Sequence, residues 1–424
     1  MQKHVDLTDA VRHLGSFEHL FWLVNEHRPV HFTLAAEIVG KTTPADWRDA
    51  LDRVQARHPL LSVRVDRMPG WLPRFRRVEE APIPLKVVAG DPRSAWPAEV
   101  GEELATPFDP SSAPLARAVL IHAPDAATLI FAAHHAIADG FALAHVIRDT
   151  LEALAGAELD PLPVTPSVDE ILGLSGPVAR LEAAGGRQQP AAVSAKTSPY
   201  RPRDGARPKV QGVRLPQPLT ARLRERAREE RTTVHGALVA ALAVACAHVS
   251  PDWRGIPLRL VSPVNVRRTL GVGEDCGVFL GAATSVLHPG VVDLSATGFW
   301  DLARHAKSSV LPAQGREGAE AVTSALRQAM RSGPDIATAA EFMLVAFARD
   351  ALLRNLGELP FANRFGPLTL TAMWGPAVLS GFEGEQTISA ATVNGSLCLT
   401  HTSYTPPRGL LETMDYMLAE AAAA

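Results

Sequence analysis

Two histidines, an aspartate and a glycine fall within the stretch His134-His135-Ala136-Ile137-Ala138-Asp139-Gly140. The chemistry open to such a group is proton transfer. A neutral imidazole with a pKa near the working pH can take a proton from an attacking hydroxyl or amine. A nearby carboxylate can orient that ring or pin the loop that carries it. Zinc fits less well: His134, His135 and Asp139 lack the i,i+4 spacing of a helical His-Glu-x-x-His site, so no metal is expected. No Gly-x-Ser-x-Gly elbow occurs, which argues against a serine hydrolase.

The elements around the group can be read from periodicity. Thr128 to Ala133 is a run of small and β-branched apolar residues and predicts a buried strand. Phe141, Leu143, Ile147, Leu151 and Leu154 then recur at helical spacing, so an amphipathic helix begins at or just after Gly140. Successive strand side chains point to opposite faces. His135 therefore shares a face with Leu129, Phe131 and Ala133, and His134 shares the other with Ile130 and Ala132. Different jobs follow. His135, facing a cleft, is the candidate base, with one ring nitrogen held locally and the other free. His134 is expected to be a buried, hydrogen-bonded ring that shapes the strand end. Gly140 allows the tight turn, through positive φ or through close backbone approach.

Elsewhere, Val30 to Ile38 alternates as a half-buried strand. Thr43-Pro44 opens a helix whose stripe is Trp47, Ala50, Leu51 and Val54. Leu61, Val63 and Val65 alternate into a strand, and Leu115 to Ile121 predicts another. Ser175 to Pro208 is rich in Gly, Pro, Ser and Gln and reads as a linker or crossover. Arg201, Arg203, Arg207 and Lys209 there suit a solvated basic linker better than a phosphate site. In the second half, helices are expected over 219–231, from the Thr233 cap, and over 298–310, 317–330 and 335–356. Strands are expected from Leu258, from Cys276 to Leu287, and from Phe365 to Trp374. Asn394-Gly395 marks a hairpin between 387–393 and 396–404, because both residues tolerate positive φ. A last helix carries Leu411, Met414 and Leu418.

Composition excludes several classes. The 424 residues exceed one typical domain, and 46% are hydrophobic, 21% charged, with a net charge of −3. Near-neutrality gives nucleic acid or a membrane surface no support as the main partner. Cys246, Cys276 and Cys398 lie far apart in apolar surroundings, which suits a reducing cytoplasm. The first residues have no apolar signal core, and the longest apolar run, 236–247, is too short to span a bilayer. A cytoplasmic monomer is expected.

The pattern His-His-x-x-x-Asp-Gly, complete as His134, His135, Asp139 and Gly140, resembles the signature of the condensation-domain and CoA-dependent acyltransferase superfamily. The helix ending in Arg57-His58-Pro59-Leu60-Leu61 is similar to the start of that superfamily as well. The resemblance implies an α/β fold of α+β type. Two chloramphenicol acetyltransferase-like subdomains, with mixed sheets flanked by helices, would enclose a channel at their interface. The divisions expected are 1–174, a 175–209 crossover, and 210–424. The resemblance makes His135 the catalytic base of acyl transfer with no acyl-enzyme. It turns Asp139 away from the active centre to pair with the arginine of a Pro-x-x-x-Arg stretch, here Pro263 to Arg267, with Arg268 as fallback. The donor substrate would be acyl-CoA or a phosphopantetheinyl acyl carrier protein, with no cofactor permanently bound. The acceptor would be a hydroxyl or amine of a small specialised metabolite or lipid.

Ser262, Asn265, Thr371 and Trp374 are the candidate channel or oxyanion residues. The plant branch's Asp-Phe-Gly-Trp motif is absent, and the condensation-domain Gly-x-Phe-Val-Asn motif is half present as Gly277-Val278-Phe279-Leu280-Gly281. Those departures point to a standalone bacterial enzyme close to the polyketide-associated acyltransferases. An amide-forming condensation enzyme of non-ribosomal peptide or polyketide biosynthesis, and an inactive carrier-protein-binding module, are the alternatives.

Overall fold

The computed structural model describes residues 10–175, 181, 198–289 and 296–423. The first half contains β1 (Ala10–His13), α1 (Ser16–His27), β2 (Phe32–Val39), α2 (Pro44–Arg57), β3 (Val63–Asp66), β4 (Arg74–Arg77) and β5 (Leu85–Ala89). It continues through α3 (Trp96–Ala105), β6 (Ala116–Ala123), β7 (Ala126–Ala133), α4 (Gly140–Leu154) and α5 (Val168–Ile171). The second half opens with β8 (Lys209–Leu215), α6 (Gln217–Glu229), α7 (Val234–Val249), β9 (Leu258–Asn265), α8 (Arg267–Leu270) and β10 (Leu280–Leu287). Then come α9 (Ala296–Val310), α10 (Arg316–Met330), α11 (Ile336–Ala346) and β11 (Ala351–Glu358). The chain closes with β12 (Arg364–Phe365), β13 (Leu368–Val378), β14 (Thr387–Val393), β15 (Ser396–Ser403) and α12 (Leu410–Ala423).

These strands build two large mixed sheets flanked by helices, in the orders β12-β13-β2-β7-β6-β5 and β10-β9-β11-β14-β15-β8, with a small β1-β4-β3 sheet beside them. The architecture is thus the α/β type with two sheet layers that the resemblance implied. The sheets do not divide with the chain, however. β12 and β13 lie in the 210–424 segment yet extend the first sheet, with β13 antiparallel to β2. Strands from both segments therefore build the first sheet. The physical reason is the open edge of β2, whose unpaired backbone groups β13 satisfies.

Local chemistry sets the helix starts as expected. Thr43 Oγ1 accepts from the Asp46 N–H while Asp46 Oδ2 accepts from the Thr43 N–H at 2.7 Å, a reciprocal cap with Pro44 at the first position. Thr233 Oγ1 accepts from the Gly236 N–H at 3.1 Å and starts α7. That helix is apolar on all sides and is enclosed by its neighbours, so Leu238, Leu242 and Ala245 are all fully buried.

Three strand expectations change. β2 is buried at every residue but Val39, not half-buried. Leu34, Ala36 and Ile38 join the core with α1 and α4, whereas Ala35 joins a second core with Trp96 of α3. Helices cover both faces of the sheet, so alternation in the sequence does not mark a wet face. β10 begins at Leu280, and residues 276–279 are irregular chain. The helix expected over 335–356 ends at Ala346, and β11 takes the rest. Leu352, Leu353 and Leu356 fit a helical stripe, but β11 lies between β9 and β14 and pairs parallel to both. A strand buried on both faces reads as a continuous apolar run, which periodicity alone does not separate from a helix.

Most of the 175–209 crossover lies outside the described residues. Of its basic residues, Arg201 pairs with Asp204 at 2.7 Å, Arg207 with Glu102 at 2.6 Å, and Arg203 donates to the His27 carbonyl. Among the described residues no single helix is long and apolar enough to cross a membrane.

The β14–β15 hairpin closes through Asn394 at φ 48° and Gly395 at φ 71°, and a Cβ on Gly395 would stand 3.0 Å from Gln217 Cγ. Gly395→Val combines a β-branched residue in the left-handed region with that contact. It is expected to lower the unfolding free energy by roughly 1–3 kcal/mol, measured by denaturant titration. A variant as stable as the parent would refute the turn geometry.

Candidate active site

β7 ends at Ala133, and the next six residues form the loop that delivers the chain to α4. His135 is 1% exposed. Its ring stacks on Phe21 of α1, with centroids 4.1 Å apart, and tilts against Phe32 of β2 at 4.6 Å. Its Nδ1 lies 3.0 Å from the Ala138 carbonyl oxygen. A carbonyl only accepts, so Nδ1 carries the proton and donates, and Nε2 is left with its lone pair. That Nε2 is buried with no hydrogen-bond partner among the described residues. Burial first, then the charge of Arg354, lowers the ring's pKa to about 3, against the Asp139 charge and the Ala138 bond, which oppose it. The site therefore holds a neutral imidazole of one tautomer with an unmet acceptor, a state that costs about 1–3 kcal/mol until a donor arrives.

His134 is fully buried and does something else. Its Nδ1 accepts from the Ala136 N–H at 3.0 Å, and Phe108 meets it edge-on with centroids 6.4 Å apart. Burial first, then the neighbouring His31 and His135, lowers its pKa to about 3. It braces the turn and does not line the cavity described below.

Asp139 is the knot of the loop. Oδ1 accepts from the Ala142 N–H at 2.9 Å and so caps α4. Oδ2 accepts from Arg267 Nη1 at 2.6 Å and from the Phe279 N–H at 2.9 Å. The Asp139 N–H donates to the Gly277 carbonyl at 3.0 Å. Burial alone would raise the carboxyl pKa, but the Arg267 charge and the bonds from Arg267, Phe279 and Ala142 outweigh it and hold it below the usual range. Its two oxygens thus face the second half of the chain and the helix N-terminus, while His135 Nδ1 is held by a carbonyl. Arg267, and not Arg268, supplies the cation. Gly140 keeps an ordinary φ; what it needs is room, because a Cβ there would lie 2.6 Å from Pro376 Cγ and 3.2 Å from Leu356 Cδ2.

A second network fixes the other end of α4. Asp149 accepts from Arg57 Nε at 2.7 Å, from His58 Nε2 at 2.8 Å and from Arg148 Nε at 2.8 Å. Arg148 also reaches Glu274 at 2.6 Å. The Arg-His-Pro stretch after α2 is therefore a clamp on α4, a partnership its sequence spacing does not reveal.

A small cavity, open to solvent on one side, lies where the two sheets meet α4. Asp139, Gly140, Asn265, Arg354, Asn355 and Pro376 contribute to its wall, with apolar surface from Phe141 and Phe279. It stops short of His135, which does not line it. The expectation of a ring open to a channel is corrected: Phe21 and Phe32 pack on the imidazole, and its Nε2 is buried.

Of the four candidate oxyanion or channel residues, only Asn265 reaches the cavity. Trp374 Nε1 donates to Glu37 Oε1 at 2.7 Å, and its ring stacks on Trp96 with centroids 4.9 Å apart. Thr371 Oγ1 donates to the Glu37 carbonyl at 3.2 Å, and Ser262 Oγ lies 3.1 Å from His235 Nε2. Those donors serve the sheet. Arg354 was missed because its segment was read as helix. The signal available was the run Ala351-Leu352-Leu353 before Arg354-Asn355-Leu356-Gly357, short and bounded by a glycine as a buried strand is. Among the described residues no cluster of three His, Cys, Asp or Glu side chains is arranged to hold a metal.

Comparison with known proteins gives two family matches. Residues 21–170 match the model described as "Condensation domain", and residues 204–286 match "Phthiocerol/phthiodiolone dimycocerosyl transferase C-terminus". The phosphinothricin tripeptide synthetase PhsC of Streptomyces viridochromogenes is 30% identical over 168 residues, which is 36% of this chain and 15% of that protein. The polyketide synthase associated protein 5 of Mycobacterium tuberculosis superposes with a TM-score of 0.68 at 17% identity, over 98% of this chain and 99% of that one. Trichothecene 15-O-acetyltransferase from Fusarium sporotrichioides does so at 0.69 and 12% identity, over 99% and 96%. At those identities the structural likeness speaks for the fold.

Arg267→Ala leaves the Asp139 charge buried with its backbone donors alone. The expected loss is about 3–5 kcal/mol of stability, read by calorimetry as a clear fall in the melting midpoint. An unchanged midpoint would show that the pair does not hold the loop.

Proposed function

We propose that this chain, which belongs to the condensation-domain and CoA-dependent acyltransferase superfamily, moves an acyl group from a thioester to a hydroxyl or amine, with His135 as general base. The thioester is acyl-CoA or an acyl carrier protein, and the acceptor is a small metabolite or lipid. The single observation that carries this reading is the His135 ring: one tautomer fixed by the Ala138 carbonyl, with Nε2 buried and lacking a donor.

The chain's own groups suit the reaction. As the acceptor oxygen or nitrogen attacks the thioester carbon, its proton passes to His135 Nε2. The carbon–sulfur bond then breaks and the same nitrogen returns that proton to the departing thiol; because the acceptor attacks the thioester directly, no acyl-enzyme forms. The Nδ1 hydrogen bond keeps the ring's plane and tautomer through both transfers. The enclosing Phe21 and Phe32 rings exclude water, which would otherwise compete as an acceptor and hydrolyse the thioester. Asp139 positions the loop through Arg267 rather than by touching the imidazole.

Support for ester formation comes from the trichothecene 15-O-acetyltransferase, whose name describes transfer to oxygen. The tripeptide synthetase favours the second reading, amide formation by an amine acceptor. An acyl-CoA offered with matched alcohol and amine panels separates the two.

His135→Ala is expected to abolish transfer, a loss on the order of 10²–10⁴-fold, while the far-ultraviolet circular dichroism spectrum is retained. Full turnover in that variant would rule out the assigned base. The pH dependence gives a second test. A ring whose pKa is lowered stays neutral as pH falls through the ordinary histidine value, and kcat/KM reports the free enzyme. The acid limb of kcat/KM is therefore expected well below about 6.5. An acid limb at the ordinary histidine value would mean that the base is solvated before substrate binds.

A further inference from the structure

Arg354 sits on β11 in the wall of the cavity. Its Nε is buried without a partner, and no hydrogen bond or ion pair to its side chain occurs among the described residues. Two carboxylates are near enough to act on its charge, Glu385 and Asp139. Both are taken. Glu385 pairs with Arg349 and accepts from the Ser380 N–H at 2.7 Å and the Gly381 N–H at 3.0 Å. Asp139 is held by Arg267 at 2.6 Å. Burial, and then the charge of Arg349, lowers the Arg354 pKa to about 10, which still leaves it a cation at neutral pH.

A partly buried, unpaired guanidinium is costly. A bidentate anion relieves that cost, because the fork of N–H donors matches a carboxylate. Two further donors stand at the same wall. Asn265 Oδ1 accepts from the Arg267 N–H at 3.0 Å, and Asn355 Oδ1 accepts from the Gly357 N–H at 2.8 Å. With their oxygens used locally, both carboxamides have their NH₂ groups left for a ligand. Apart from Asp139, the rest of the lining is largely apolar.

We propose that Arg354, with Asn265 and Asn355, is a carboxylate-binding subsite, and that one of the two reactants carries a carboxylate beside its reacting group. The subsite makes substrate choice a matter of charge as well as shape. Occupancy would also cancel the Arg354 charge, the second of the two causes that keep His135 a weak base.

Direct binding tests the subsite without reference to turnover. N-acetylalanine and N-acetylalaninamide are titrated into the full chain by calorimetry. The acid is expected to bind about 10- to 100-fold more tightly than the amide, a preference lost in Arg354→Gln and partly kept in Arg354→Lys. Equal binding of acid and amide by the parent chain overturns the subsite, and this comparison needs no variant to fold. A preference that survives Arg354→Gln overturns the assignment to Arg354. The kinetic arm rests on the acyl-transfer reading and locates the carboxylate. Alanine against alaninamide as acceptor, and malonyl-CoA against acetyl-CoA as donor, are compared in KM. An Arg354→Gln effect confined to the acid acceptor or to the acid donor supports the proposal and names the reactant. An equal fall in kcat for acid and neutral substrates overturns it in favour of a transition-state role. Acid preference in calorimetry with no transfer to any acceptor supports the subsite while removing the acyl-transfer reading.

Discussion

The ion pair between Asp139 and Arg267 is the constraint on which the site depends. It joins a loop of the first sheet to the segment between β9 and β10 of the second, and it does so where water is excluded. One carboxylate there serves three masters: the helix α4 N-terminus, the Arg267 guanidinium and the Phe279 N–H. Each needs a charged acceptor in one place, so the loop has one conformation. The direction of the His135 ring follows, because its Nδ1 partner, Ala138, is the residue before Asp139.

The strand pair β12–β13 reinforces that joint. It leaves the second half of the chain, completes the first sheet beside β2, and brings Pro376 against Gly140. Thr400 of β15 accepts from the Gly375 N–H at 2.9 Å, so the second sheet in turn holds β13 in place. The interface between sheets is therefore made by backbone pairing and by close packing at a glycine, not by a loose contact of two lobes.

Rigidity around the base comes with closure. The imidazole is stacked, buried and neutral, and its free nitrogen has no donor among the described residues. The nearby cavity has the opposite character, with a cation that has no anion. Two unmet demands at adjoining places, one for a proton donor and one for a negative charge, describe a bifunctional ligand better than either does alone. The rest of the wall is largely apolar and adds shape without direction.

Much of this was legible in the residues. The buried strand, the helix from Gly140, the split between the two histidines and the Arg267 partner all rest on short-range pattern or on the motif's resemblance. Local rules decide the first three, through strand alternation and helix caps, and the Arg267 partner is what the resemblance implies for a buried carboxylate. What only the folded chain decided depends on contacts far apart in sequence. β11 is a strand because β9 and β14 pair with it on either side, and its leucines alone fit a helix equally well. Trp374 and Thr371 serve Glu37 because β13 crosses to β2, a pairing over more than 330 positions that no window of sequence spans. Arg354 is an unpaired cation because both carboxylates near it were claimed by other arginines, and such competition exists only in three dimensions.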